Sequence, residues 1–293
     1  GGKAMEQFIS ITINGLATGM LIFLLAAGLT LIFGLMDVLN FAHGALFLWG
    51  AYAGIWAFVN SGSYIVGVIA AIVTGVVIGY ILERFIIKPV YGNHIQQILI
   101  TLGAMLVLSE LVKVVWGPNI MVAPYPSWLQ GSWEVGNILL IKYRLFIIAV
   151  GSLVFIGLLF LLNKTKIGLI VRAGVMNKEM VQALGINIRK IFLFVFMLGA
   201  GMAGLAGLLF GPYSGVIYAE IGLEYGILAF IVVIIGGMGS VLGSMLAAVL
   251  VGVLGAYAAY FLPEISLTVN FIIMIAILIF RPSGLLGMKE AVK

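Results

Sequence analysis

The chain has 293 residues; 63% are hydrophobic, 9% are charged, and the mean hydropathy is +1.27. So apolar a composition excludes a soluble domain, and runs of about 20 apolar residues indicate an all-α polytopic membrane protein rather than a barrel of short alternating strands. The net charge of +5 is the basic excess of inward-facing connections; without cysteine, and with only His43 and His94, the chain offers no disulfide, thiolate site or metal cluster.

Gly1-Gly2-Lys3-Ala4, ahead of Met5, reads as a cloning remnant. Residues 5–293 are expected to form a single transmembrane domain, because no polar stretch exceeds about 30 residues. The first apolar run covers Phe8 to Phe33. It gives way at Gly34 to Asp37, Asn40, His43 and Gly44, and a second run then reaches Val59. This break holds few polar groups and no basic one, which is unusual for a cytoplasmic loop. A chain break at membrane depth is tolerated only against protein or a water-filled cavity, so the segment is expected to be a discontinuous element beside a transport path. The competing account is a tight turn, with Asn40 capping the next helix and His43 bound to a carbonyl.

After a turn at Asn60–Ser63, the span Tyr64–Leu82 carries Gly67, Ala71, Gly75 and Gly79 at strict i+4 spacing, a stripe that lets helix backbones approach closely. Packing within one subunit is the commoner use of such a stripe. Glu83, Arg84, Lys88 and Pro89 mark a cytoplasmic connection. Asn93 to Trp116 forms the next span, with Glu110 and Lys113 placed to pair at i, i+3. Residues 117–142 form the longest outer loop, in which prolines exclude helix and tryptophans suit the headgroup level. Tyr143 to Leu162 returns inward.

Residues 163–191 then hold six of the fifteen Lys and Arg (Lys164, Lys166, Arg172, Lys178, Arg189, Lys190) against one acid, Glu179. Basic connections collect in the cytoplasm, so this loop orients the chain. It contains a short helix with both ends marked: Asn177 as N-cap, Glu179 in the first turn, and Gly185 in the left-handed position after Leu184. By itself this is either a solvated connector or a docking helix on which a cytoplasmic partner pushes.

Phe192 to Phe210 leads outward, dense in small residues, and Pro212–Glu224 forms an outer segment. Tyr225 to Ile235 is short for a span and runs into Gly236-Gly237-Met238-Gly239-Ser240, the pattern of a re-entrant or broken helix along a permeation path. An ordinary glycine turn is the competing account. Val241–Leu262 and Ile265–Phe280 complete about eight to nine crossings or partial crossings, with the C-terminus inside and the N-terminus outside. No G-x-x-x-x-G-K-[ST] loop cradles a nucleotide, and no catalytic set of side chains stands out. A lone ion-coupled or facilitative carrier would have to use Asp37 or Glu110 as its acid. Energy delivered by a separate ATPase through the basic loop fits the pattern better.

Three segments together resemble the permeases of ABC importers for branched-chain amino acids, and most the smaller, H-type subunit of Liv-type systems. They are Gly28-Leu29-Thr30-Leu31-Ile32-Phe33-Gly34 with Asn40-Phe41-Ala42-His43-Gly44; Arg172-Ala173 with Ala183-Leu184-Gly185-Ile186-Asn187; and Gly236-Gly237-Met238-Gly239-Ser240 with Arg281-Pro282-Ser283-Gly284-Leu285-Leu286-Gly287. The resemblance implies the ABC importer permease fold in a bacterial inner membrane, and a heterodimer with a second homologous permease. It also implies two cytoplasmic P-loop ATPases holding ATP and Mg, and an extracytoplasmic substrate-binding protein. The chain itself would be no enzyme and bind no cofactor, metal or nucleic acid. Arg172, Asn177, Lys178, Glu179, Ala183, Leu184, Gly185, Ile186 and Asn187 would couple it to the ATPases. Asp37, Asn40, His43, Gly44, Gly236, Gly237 and Gly239 are the translocation-path candidates. Relatives with urea, amides or other small organic solutes as cargo leave the substrate open.

Overall fold

Long apolar segments can satisfy their backbone only within themselves in lipid, and the computed structural model is accordingly predominantly helical across its described residues, 1–287. The elements are α1 (Gly2–Met36), α2 (His43–Ser61), α3 (Tyr64–Ile81), α4 (His94–Trp116), β1 (Met121–Val122), β2 (Ser132–Val135), β3 (Ile138–Ile141), α5 (Lys142–Lys164), α6 (Lys166–Ala183), α7 (Ile188–Ser214), β4 (Val216–Ile217), α8 (Ile221–Gly236), α9 (Val241–Phe261) and α10 (Ser266–Phe280). Seven helical stretches, based on α1, α3, α4, α5, α7, α9 and α10, are long and apolar enough to cross a membrane. With α2 and the shorter α8 they make up the expected set of crossings and partial crossings.

α1 is the central post. It is apolar on every side and buried almost without interruption from Ala17 to Leu35, packed by α9, α7, α5 and α8. Close approach replaces large side chains: a Cβ on Gly28 would lie 2.5 Å from the Gly199 Cα of α7. The Gly67-Ala71-Gly75-Gly79 stripe faces α2 and α7, so it packs this subunit internally. The outer residues of α3, α4 and α10 leave large apolar side chains such as Val73, Leu99 and Ile275 uncovered, as a lipid-facing rim requires.

The structure differs from the sequence reading at three connections. The segment expected to be a loop at Glu83–Pro89 continues α3 as a π-turn (Leu82–Ile87) and a 3-10 turn (Lys88–Val90). The irregular turn buries Glu83, whose carboxylate accepts the Tyr91 hydroxyl at 2.6 Å with Arg189 at 3.9 Å. Burial, and then that hydrogen bond, push the Tyr91 phenol well above the ordinary tyrosine range. The loop 117–142 contains a β2–β3 hairpin, and β1 pairs with β4 across 95 residues of sequence, Met121 opposite Ile217, tying the two connections at that end together. Finally, α7 carries on through Pro212 to Ser214 before turning at Gly215.

Candidate translocation path and docking loop

The break between α1 and α2 is an extended re-entrant strap. α1 ends on Asp37, which adopts φ 53° and donates its N–H to the Phe33 carbonyl; a short polar residue tolerates this left-handed cap without glycine. The chain then climbs back beside α1, since His43 Nε2 lies 3.0 Å from the Leu25 carbonyl, eleven residues above the helix end at Met36. Within the bundle the strap has no sheet partner. α4 supplies one: Gln97 Oε1 accepts the Leu39 N–H at 3.1 Å, and Thr101 Oγ1 accepts the Phe41 N–H at 3.1 Å. Asn40 Oδ1 accepts the Ala42 N–H, while His94 Nε2 reaches the Asp37 carbonyl and carboxylate at 3.2 Å. His94, Gln97 and Thr101 stand at i, i+3 and i+7, one face of a helix.

Asn40 and His43 are fully buried. His43 bonds a carbonyl as the competing turn account requires, but Asn40 does not cap α2: its Oδ1 accepts the N–H of Ala42, itself the N-cap residue, and the strap runs back beside the interior of α1. Gly44 opens α2 against Gly222 and Gly226 in the first turns of α8, so the end of the strap abuts α8. Stacked rings of Phe41 and Phe230, centroids 4.6 Å apart, extend that contact.

At the basic end, Gly236–Ser240 forms the turn from α8 into α9. Gly237 and Gly239 have φ of 97° and 89°, a conformation that other residues rarely adopt. Ser240 Oγ caps α9 through the Gly243 N–H, and the Gly239 N–H is held by Thr30 Oγ1 of α1 at 2.8 Å. The segment after α10 closes over this turn: Leu285 and Leu286 donate N–H to the Ile235 and Gly236 carbonyls, and Arg281 reaches the Leu285 carbonyl. The three segments singled out in the sequence therefore converge. Phe33, Gly34 and Asp37 of α1 share a cleft of about 430 Å³ with Asn177, Lys178, Glu179 and Met238; Arg172 lines a second, of about 450 Å³, with Gly239 and Leu286.

The basic loop folds into two helical pieces. Thr165 caps the first, which packs on α1 and α5 through Gly168 and Gly174. Asn177 interrupts α6 with extended backbone and caps the second piece, its Oδ1 accepting the Met180 N–H at 2.9 Å. Gly185 leaves it at φ 82°, and Asn187 caps α7. Arg172, Asn177, Lys178, Glu179, Ala183, Leu184, Gly185 and Asn187 are exposed, and Ile186 is half-buried. Sequence reading missed one feature here. Met180 and Leu184, at i and i+4 on the second piece, are 62% and 74% exposed, an apolar pair with no cover in this chain, and Met176, just before the kink, is 76% exposed. Helical spacing alone would have found it once the helix was taken as protruding.

Comparison with known proteins adds identity to this geometry. The family described as the branched-chain amino acid transport system permease component matches residues 11–278. The chain is 31% identical to the high-affinity branched-chain amino acid transport system permease protein BraD of Pseudomonas aeruginosa, over 98% of each chain. It is 29% identical to the corresponding LivH of Escherichia coli K12, over 98% of this chain and 97% of that one. To LivM of the same bacterium, a further permease protein of a branched-chain amino acid system, it is 27% identical over 92% of this chain and 69% of LivM. No solved structure matches it. A multi-pass helical chain with these breaks, this convergence and this match along nearly its whole length belongs to the family of permease components of branched-chain amino acid transport systems.

Proposed function

We propose that this chain is one of two homologous permease subunits of an ATP-driven importer of branched-chain amino acids in a bacterial inner membrane. An extracytoplasmic binding protein delivers the cargo, and two P-loop ATPases hold ATP and Mg. Charge sets the orientation: the 163–191 end faces the cytoplasm with the C-terminus, and the N-terminus and the 117–142 loop face outward. The observation that carries the reading is the protruding Asn177–Leu184 helix. Its uncovered Met180–Leu184 pair, with Met176 beside its start and basic neighbours, suits a groove on an ATPase, and its root shares a cleft with the end of α1 and the α8–α9 turn. Arg172 and Ile186 brace that root, while Lys178, Glu179, Ala183, Gly185 and Asn187 form its surface. On this reading Asn40, His43 and Gly44 fix the strap, and Asp37, Gly236, Gly237 and Gly239 form the joint that a push on the helix moves. Of the two acids a lone carrier would use, Glu110 lies 2.9 Å from Lys113 and Asp37 lies 3.2 Å from His94, both at exposed positions.

Gentle affinity purification from the native membrane tests this. A second permease and P-loop ATPases should co-purify; recovery of this chain alone would replace the reading with a carrier acting by itself.

A further inference from the structure

A cavity of about 580 Å³ lies at the end of the bundle opposite the basic loop, between α1, α5, α7, α8, α9 and α10. Its volume falls within the roughly 300–1,000 Å³ of small-molecule pockets. One basic side chain, Arg144, enters it, and none of its lining residues is acidic. Arg144 stands in the first turn of α5, where the helix dipole disfavours a cation. Its guanidinium sits over the Tyr213 ring at 4.6 Å, its Nε is buried without a hydrogen-bond partner, and no carboxylate pairs with it among the described residues. A half-buried guanidinium with unused donors is costly unless an anion meets it.

A second unused group faces the same space. Asn270 Oδ1, from α10, is buried with no donor in reach. Thr18 does not compete for either group, because its hydroxyl is already engaged with the Tyr213 hydroxyl. The remaining wall is aliphatic, with Ile22, Leu228 and Val251. The cavity thus offers donors for an anion, an acceptor for a cation and an apolar surface.

We propose that this cavity is a way-station for a zwitterionic α-amino acid in transit. Arg144 binds the carboxylate, Asn270 Oδ1 accepts from the ammonium, and the aliphatic side chain lies against Ile22, Leu228 and Val251. The inference rests on the importer reading above and names where within this subunit the cargo is recognised. Neither group was singled out in the sequence, where Arg144 is one more basic residue at a span's edge and Asn270 one more polar residue within a span.

The test is ATP-driven uptake of radiolabelled L-leucine by the purified complete importer in proteoliposomes, with its binding protein, comparing the natural chain with Arg144→Gln, Arg144→Lys and Asn270→Leu. Loss of a charge-assisted hydrogen-bond pair should lower uptake about tenfold in Arg144→Gln. Arg144→Lys should recover part of it, and Asn270→Leu should also fall. ATP hydrolysis stimulated by the leucine-loaded binding protein, and recovery of the assembled complex, should stay within about twofold, which separates lost recognition from lost folding. Uptake by Arg144→Gln within about twofold of the natural chain overturns the inference and leaves the importer reading intact. Stimulated hydrolysis falling in parallel with uptake overturns it in favour of a contact with the binding protein. Loss of a co-purifying anionic phospholipid with unchanged uptake assigns Arg144 to a lipid phosphate instead. If the natural complex moves another solute and not leucine, the importer reading itself fails in its substrate.

Discussion

Thr101 and Gln97 do for the strap what a neighbouring strand does in a sheet. Each buried N–H left without its acceptor costs about 1–3 kcal/mol. Thr101→Val and Gln97→Leu should therefore lower the thermal unfolding midpoint in detergent, with Thr101→Ser near neutral; equal midpoints for Thr101→Val and the natural chain would refute the assignment. Asp37 makes a backbone demand of its own. A β-branched residue at φ 53° costs about 1–2 kcal/mol, so Asp37→Val should destabilise where Asp37→Gly does not, as read by the same midpoint. What was legible at this scale was local. Asn177 and Gly185 announce a helix's two ends because cap and helix lie within a few residues. Gln97 and Thr101 were illegible because the groups they satisfy lie 58 and 60 residues away in sequence.

Among the elements, two kinds of surface separate cleanly. The inner kind is made of backbone: α2, α3 and α7 meet where Gly50, Gly75 and Gly204 leave no room for a side chain. Gly204→Leu would force those helices apart, an overpacking cost of about 1–3 kcal/mol or more, and should abolish recovery of folded subunit in size-exclusion chromatography. The outer kind is the uncovered Met180–Leu184 face of the second α6 piece. Met180→Asp with Leu184→Asp should leave the subunit's own midpoint unchanged while cutting ATP-driven uptake about tenfold or more, the effect of removing apolar anchors from an interface. Unchanged uptake would return the helix to a solvated connector. Apolar runs made the helices readable in advance, and the polar break after α1 made the strap so; at Gly236–Ser240 the glycines form the ordinary turn of the competing account, since α8 runs unbroken from Ile221 to Gly236. The π-turn after α3 was not readable, since the Glu83 it buries meets Arg189 from a remote part of the sequence, and neither was the β1–β4 pairing of strands only two residues long.

For the molecule as a whole, the absence of cysteine makes each introduced thiol a single reporter. With a membrane-impermeant maleimide, Gln130→Cys should label on intact cells and Lys178→Cys only on inside-out vesicles; the reverse pattern would invert the orientation. The two ends that such labels distinguish are joined by one piece of secondary structure. At 1.5 Å per residue the 35-residue α1 is about 52 Å long. Asn14, Thr18 and Ile22 on this helix form part of the wall of the Arg144 cavity, and its Phe33–Asp37 end lies in the cleft below the docking helix. Gly28 against Gly199, and Gly15 and Gly19 against α9, hold this rod backbone to backbone along its length, so on the proposed reading a displacement at one end is carried to the other as a rigid body. A nudge at one membrane face would thus loosen or tighten the grip at the other without either region unfolding.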